Sequence, residues 1–201
     1  MNKIFNFFKA NWKDIFKPII VLTSICIIIP LALALTNFVT VDKISKLAKE
    51  NQIKAMESLA SAEEFLSQTI AKDDGTDHEY NVALNGGNPS AYIFTLSSKG
   101  YGGDVSVMTA IDVSGKIIGV DILDASGETP GLGQNVTKEG FYSQFAEKNG
   151  KITVVKNGAN ASSNEINAVT GASISSRAVT NAVNEALELF EKISANGGAA
   201  E

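Results

Sequence analysis

The clearest chemistry in this chain lies in the hydroxyls of Asn167-Ala-Val-Thr170-Gly171-Ala172-Ser173-Ile-Ser175-Ser176-Arg177. Ser173 closes a small, flexible Thr-Gly-Ala-Ser loop directly before an apolar-periodic run over 174–194. In that run Val179, Ala182, Val183, Ala186, Leu187, Phe190 and Ile193 recur at three- and four-residue steps, which predicts a helix with one buried face. The Ser173 hydroxyl then sits at or just before a helix N-terminus. Unpaired backbone N–H groups and the positive dipole end make that a favourable place for a phosphate. Gly171 and Ala172 leave the hydroxyl open to a large partner. The plainer reading is that Ser173, Ser175 or Ser176 caps the helix and Gly171 makes a turn. On these residues alone both stand.

A second constellation consists of two glycine-rich stretches, Gly100-Tyr101-Gly102-Gly103 and Gly127-Glu128-Thr129-Pro130-Gly131-Leu132-Gly133. Taken alone they read as turns, for neither has Walker or dinucleotide-binding spacing.

Thr170-Gly171-Ala172-Ser173, followed by Ile-Ser-Ser-Arg-Ala-Val, resembles the flavinylation motif of the RnfG/NqrC family of FMN-binding domains. That motif runs Asp-x-x-Ser/Thr-Gly-Ala-Thr, and its last hydroxyl is esterified with the phosphate of FMN by a separate flavin transferase that uses FAD. The acceptor that the resemblance implies here is Ser173, with Thr170, Gly171 and Ala172 around it. Asn167 stands where the family has Asp, and Ser173 where Thr is usual; a serine hydroxyl can form the same phosphoester. The family also has a Gly-Tyr-Gly-Gly followed some 25 residues later by Glu-Thr-Pro-Gly-Leu-Gly, and both occur here in order. The resemblance covers roughly 91–190, together with the single N-terminal span and connector. Tyr101, Gly102, Glu128, Thr129, Gly131 and Leu132 thereby become candidate cofactor-binding residues. A flavin ring is flat and mostly apolar, and needs close backbone approach with a few polar groups at its rim. Gly131 and Gly133 would allow that approach, Leu132 would cover a ring face, and Glu128 and Thr129 would hydrogen-bond to the rim.

The function implied is that of a membrane-anchored electron-transfer subunit with covalent FMN, with no residue needed as a catalytic base and no metal. Its implied partners are the other subunits of an Rnf-type complex, which couples ferredoxin:NAD electron transfer to Na⁺ or H⁺ movement, and the flavin transferase. Compact length and a short region after the span favour the RnfG type over the longer NqrC type. Two other readings compete. A membrane-anchored sensory or ligand-binding domain would hold free flavin at the glycine loops. A stand-alone extracytoplasmic flavin reductase would need its own electron donor, and the sequence has no nicotinamide-binding fingerprint.

The elements that would position these residues begin with an anchor. Residues 18–39 contain no charged side chain and are rich in Ile, Leu, Val and Ala; about 20 such residues span a bilayer core as a helix. Pro30 inside the run is tolerable in a membrane helix. Lys3, Lys9, Lys13 and Lys17 against Asp14 give residues 1–17 a net charge of +3, which predicts a cytoplasmic N-terminus. The whole chain carries −5, so the remainder carries −8 and is expected to be extracytoplasmic, anchored in the cell (inner) membrane. Phe5, Phe7, Phe8 and Trp12, interleaved with lysines, suit a segment resting in membrane lipid at the inner interface or docking on a partner helix. A cleaved signal peptide with Ala32-Leu-Ala34 as its site is the competing idea, although the apolar run continues past that point.

Beyond the span, the spacing of Ile44, Leu47, Ala48, Ile53, Met56, Leu59 and Ala60 predicts a connector helix over 40–70, leaving 71–201 as the FMN-binding domain. Residues 71–90 read as loop, with Asn85-Gly-Gly and Asn88-Pro89 as breakers. Strands are expected at 91–97, 104–113 and 116–124, the last two joined by a hairpin at Val113-Ser-Gly115-Lys116, and at 152–155. A helix over 137–147, capped by Thr137, lies between them. The fold class is therefore α+β: one transmembrane helix, a mainly antiparallel sheet and a long C-terminal helix. The single cysteine, Cys26, excludes an internal disulfide and a cluster held by four thiolates of this chain. The single histidine, His78, falls in a polar run read as a surface loop rather than a metal site. Net −8 with no basic groove argues against nucleic acid as a partner.

Overall fold

The computed structural model describes residues 12–71, 75–160 and 164–195, with backbone only at 13–15. Lys3, Lys9, Phe5, Phe7 and Phe8 of the expected interfacial segment lie outside the described residues, as does Asp73 of the polar run. The chain divides into two units, Met1–Glu50 and Asn51–Glu201.

The first unit is the greater part of helix α1 (Trp12–Leu59), which runs through Pro18 and Pro30. Its most apolar 18-residue window has a mean hydropathy of 2.7, and none of it is buried against the rest of the protein. Side chains such as Leu22 and Leu33 stay about two-thirds exposed, at 64% and 66%. An element this apolar and this bare is long enough to cross a membrane once, as expected for 18–39. Polar side chains near the end of the run look after themselves. The Thr36 hydroxyl donates to the Ala32 carbonyl and the Thr40 hydroxyl to that of Thr36, both at 2.9 Å.

The second unit begins with the last turns of α1. The connector helix expected through residue 70 stops at Leu59, and the next residues turn into a strand. β1 (Glu64–Ala71), β2 (Asp77–Asn85), β3 (Asn88–Lys99), β4 (Asp104–Asp112) and β5 (Ile117–Asp124) form an antiparallel sheet in chain order. The segment expected to be loop over 71–90 thus contains β2 and the start of β3. Asn85-Gly-Gly is no mere breaker: Gly86 and Gly87 take φ of +58° and +78°, as a two-residue hairpin turn requires. His78 lies in β2, not in a loop, with Nε2 3.1 Å from the Thr95 carbonyl on β3. The β4–β5 hairpin forms where expected.

Between β5 and the last helix the chain stays irregular. A 3₁₀ turn (Gly133–Thr137), one helical turn α2 (Glu139–Tyr142) and a second 3₁₀ turn (Ser143–Phe145) replace the continuous helix expected over 137–147. Thr137 is not a cap, since its hydroxyl donates back to the Gln134 carbonyl. Burial of Val136, Phe141 and Phe145 in the core explains why this stretch follows the core's shape rather than a helical period. β6 (Thr153–Val155) pairs in parallel with β7 (Glu165–Asn167), apart from the main sheet. Helix α3 (Ser173–Ala195) closes the fold.

The two faces of the sheet are built differently. On one, Phe94, Tyr92 and Tyr80 meet the apolar stripe of α3; the rings of Tyr92 and Phe190 meet edge-on with centroids 5.4 Å apart. On the other, small residues Ala83, Ala91 and Ala110 lie with Ile93 and Met108 against Ala55, Met56 and Ala60. These small side chains let the end of α1 approach closely. A Cβ added at Gly119 would come within 2.8 Å of the Leu59 side chain.

Candidate functional site

Helix α3 begins at Ser173, and its first turn assigns a separate task to each serine. The Ser176 hydroxyl donates to the Ala172 carbonyl and accepts from the Val169 N–H, both at 2.9 Å. Ser175 donates to Glu128 at 2.7 Å. Among the described residues, none hydrogen-bonds to the Ser173 hydroxyl, and its side chain is half-buried. Ser176 thus ties the preceding loop to the first turn rather than capping a helical N–H, and Ser173 is left free for an external group. The turn before it needs Gly171, whose φ is +78° and whose missing Cβ leaves room for the Leu132 side chain.

Glu128 is only 2% exposed, and it organises the two glycine stretches. One carboxylate oxygen accepts from the Tyr101 N–H at 2.7 Å and more loosely from Gly102 at 3.4 Å; the other accepts from Ser175. A side chain at Gly100 or at Gly133 would collide with this carboxylate. Gly133 is thus small where Glu128 approaches it, and both residues line a cleft; the Glu128 carboxylate also serves as an internal brace. The backbones of Gly102 and Gly127 also meet directly.

The brace brings the two stretches and the α3 loop to one cleft of about 530 Å³. Leu132, Ala172 and Ile174 supply its apolar walls, Tyr101 and Thr129 lie at its rim, Glu128 and Ser175 in its floor, and Ser173 with Gly171 at one side. Tyr101 is 72% exposed. Gly131, with φ +73°, belongs to the turn closed by the Leu132 N–H on the Thr129 carbonyl, and neither it nor Gly102 lines the cleft.

Thr170 lines a second, smaller cleft of about 320 Å³ with Lys156 and Asn157. Ser173 and Gly171 are common to both clefts. Lys156, Asn157, Ile174 and Ser175 were not among the cofactor-binding residues read from the sequence; the first two reach the site only through the β6–β7 pairing, which no local pattern announces. Asn167 accepts the Ala159 N–H through its side-chain oxygen at 3.0 Å, while Gln144 brackets its backbone. An aspartate oxygen could accept the same bond, so the departure at Asn167 leaves this brace intact.

Volume and lining both fit a flavin: sites for such ligands are typically some 300–1,000 Å³, mostly apolar, with few polar groups. A family model described as an FMN-binding domain matches residues 100–188. The G subunit of the Na(+)-translocating ferredoxin:NAD(+) oxidoreductase complex of Acetobacterium woodii is 34% identical, aligned over 92% of this chain and 96% of its own length. The chain belongs to the RnfG family. The G subunit of the proton-translocating ferredoxin:NAD(+) oxidoreductase complex of Clostridium ljungdahlii, another RnfG protein, is also 34% identical, over 83% of this chain and 86% of its own. Among solved structures, NqrC of Shewanella oneidensis superposes with a TM-score of 0.53 at 24% identity, over 64% of this chain and 69% of that one. The C subunit of the Na(+)-translocating NADH-quinone reductase of Parabacteroides distasonis gives 0.51 at 22% identity, over 64% and 78%. The RnfG chain described here thus shares the fold of these two proteins.

Proposed function

We propose that Ser173 carries FMN as a phosphoester, and that the chain passes electrons between its neighbours in an Rnf-type complex on the extracytoplasmic side of the membrane. Its family makes the chain an FMN-binding electron-transfer subunit of a membrane complex. The observation that carries the covalent reading is the Ser173 hydroxyl, unengaged at the start of α3 and shared by two clefts.

Attachment by a transferase using FAD forms a bond from Ser173 Oγ to the FMN phosphorus, breaks the pyrophosphate P–O bond and releases AMP; the hydroxyl proton leaves to a base of the transferase. The first N–H groups of α3 would hold the phosphate. Leu132 and Ile174 would shield a ring face from water, and Thr129 would offer a rim hydroxyl. The flavin supplies the redox chemistry, while the protein positions it and sets its surroundings. A covalent tether keeps the cofactor from being lost outside the cytoplasm.

The test is a pair of variants made alongside a transferase. Ser173→Thr should keep flavin fluorescence on a denaturing gel and Ser173→Ala should lose it. A folded Ser173→Ala chain that still fluoresces after denaturation would refute attachment at this residue. Flavin that is bound natively but washed out by denaturant in the unsubstituted chain would favour the ligand-binding reading.

A further inference from the structure

We infer that Glu128 is an electrostatic positioning residue, whose buried negative charge in the cleft floor holds the reduction potential of the bound flavin down. The inference rests on the reading that the flavin occupies the Ser173 cleft. Among the described residues Glu128 hydrogen-bonds only to donors: the N–H groups of Tyr101 and Gly102 and the hydroxyl of Ser175. Two backbone N–H groups converge on one carboxylate oxygen and the Ser175 hydroxyl reaches the other, an arrangement that favours the charged form. No described lysine or arginine forms an ion pair with it. The charge is therefore balanced by dipoles alone, in a site that is 98% shielded from solvent and lines the cleft.

A brace alone does not need a charge. Glutamine at this position could accept from Tyr101 through its oxygen and offer its NH₂ to the Ser175 oxygen. The fold nonetheless keeps Gly100 and Gly133 free of side chains around a group that is costly to bury. A fixed negative charge beside the cleft acts on redox chemistry directly. Reduction adds negative charge to the flavin at neutral pH, and an unscreened carboxylate nearby opposes it.

The experiment is a spectroelectrochemical titration of the FMN-loaded, full-length protein in detergent. Glu128→Gln should move the midpoint potential to more positive values with the mass of attached flavin unchanged. Ser175→Ala keeps the charge and removes one of its donors, so it should move the midpoint the opposite way. An unmoved midpoint in loaded Glu128→Gln overturns the inference. If that variant does not fold, an unmoved or positive shift in Ser175→Ala overturns it instead. The two readings fail separately: an unsubstituted chain without flavin strikes the Ser173 assignment, whereas a loaded chain with an insensitive midpoint strikes only the role of Glu128.

Discussion

Three serines within four residues looked interchangeable in the sequence, and hydrogen bonding separates them. Ser173→Ala removes a hydroxyl that holds nothing in the protein, so its effect on stability should be within about 0.5 kcal/mol by urea titration. Glu128→Ala is the contrast. It strips a buried acceptor from the Tyr101 N–H and the Ser175 hydroxyl, and unpaired buried donors cost about 1–3 kcal/mol. The urea midpoint should fall accordingly; an unchanged midpoint would show that water replaces the carboxylate and that the brace is dispensable. Ser173, as the proposed attachment residue, and the Gly-Tyr-Gly-Gly and Glu-Thr-Pro-Gly-Leu-Gly stretches were legible as local patterns. Which way Glu128 points was not, because it depends on Ser175, 47 residues away.

Elements were legible where one face is apolar and the other polar. Helix α3 met that condition; β4, buried on both faces, was legible instead from its β-branched residues at every second position and the Ser-Gly turn after it. β1 had neither signal: as an edge strand it is mostly exposed, with Leu66 41% exposed, and it carries too little alternation to interrupt the helical spacing before it. β2 hides its Tyr80 and Val82 among Asp, His, Glu and Asn. The α3–sheet contact should depend on Phe190, buried against Tyr92; Phe190→Ala is expected to cost about 3–5 kcal/mol in chemical denaturation. The β4–β5 turn adds a pH dependence. Partial burial raises the Asp112 pKa, but hydrogen bonds from the Ser114 hydroxyl and the Lys116 and Ser114 N–H groups, with the Lys116 charge, outweigh it and hold the carboxyl below its ordinary value. A depressed carboxylate stabilises the fold above its unfolded pKa and loses that contribution as pH falls through the folded one. Protection of the Ser114 and Lys116 amides, taken relative to their intrinsic exchange rates, should fall below about pH 4, the unperturbed range of Asp, and Asp112→Asn should abolish that acid dependence.

At the scale of the molecule, a bare apolar helix and an acidic flavin-binding unit make an anchored carrier. The charge asymmetry of the sequence, +3 before the span and −8 in the remainder, predicts on which side the carrier works. With Cys26 replaced by serine, a cysteine introduced at the exposed Ser126 should react in whole cells with a maleimide that cannot cross the membrane. Labelling only after lysis would place the domain inside and exclude the proposed orientation.

The central claim is the bond at Ser173, and mass reads it most directly. The full chain, purified from a host with the flavin transferase, should be heavier than its sequence by one FMN less water, about 438 Da for a phosphoester on a hydroxyl. Digestion should place that addition on the peptide containing Ser173. An unmodified mass, or an addition on any other residue, would contradict the account.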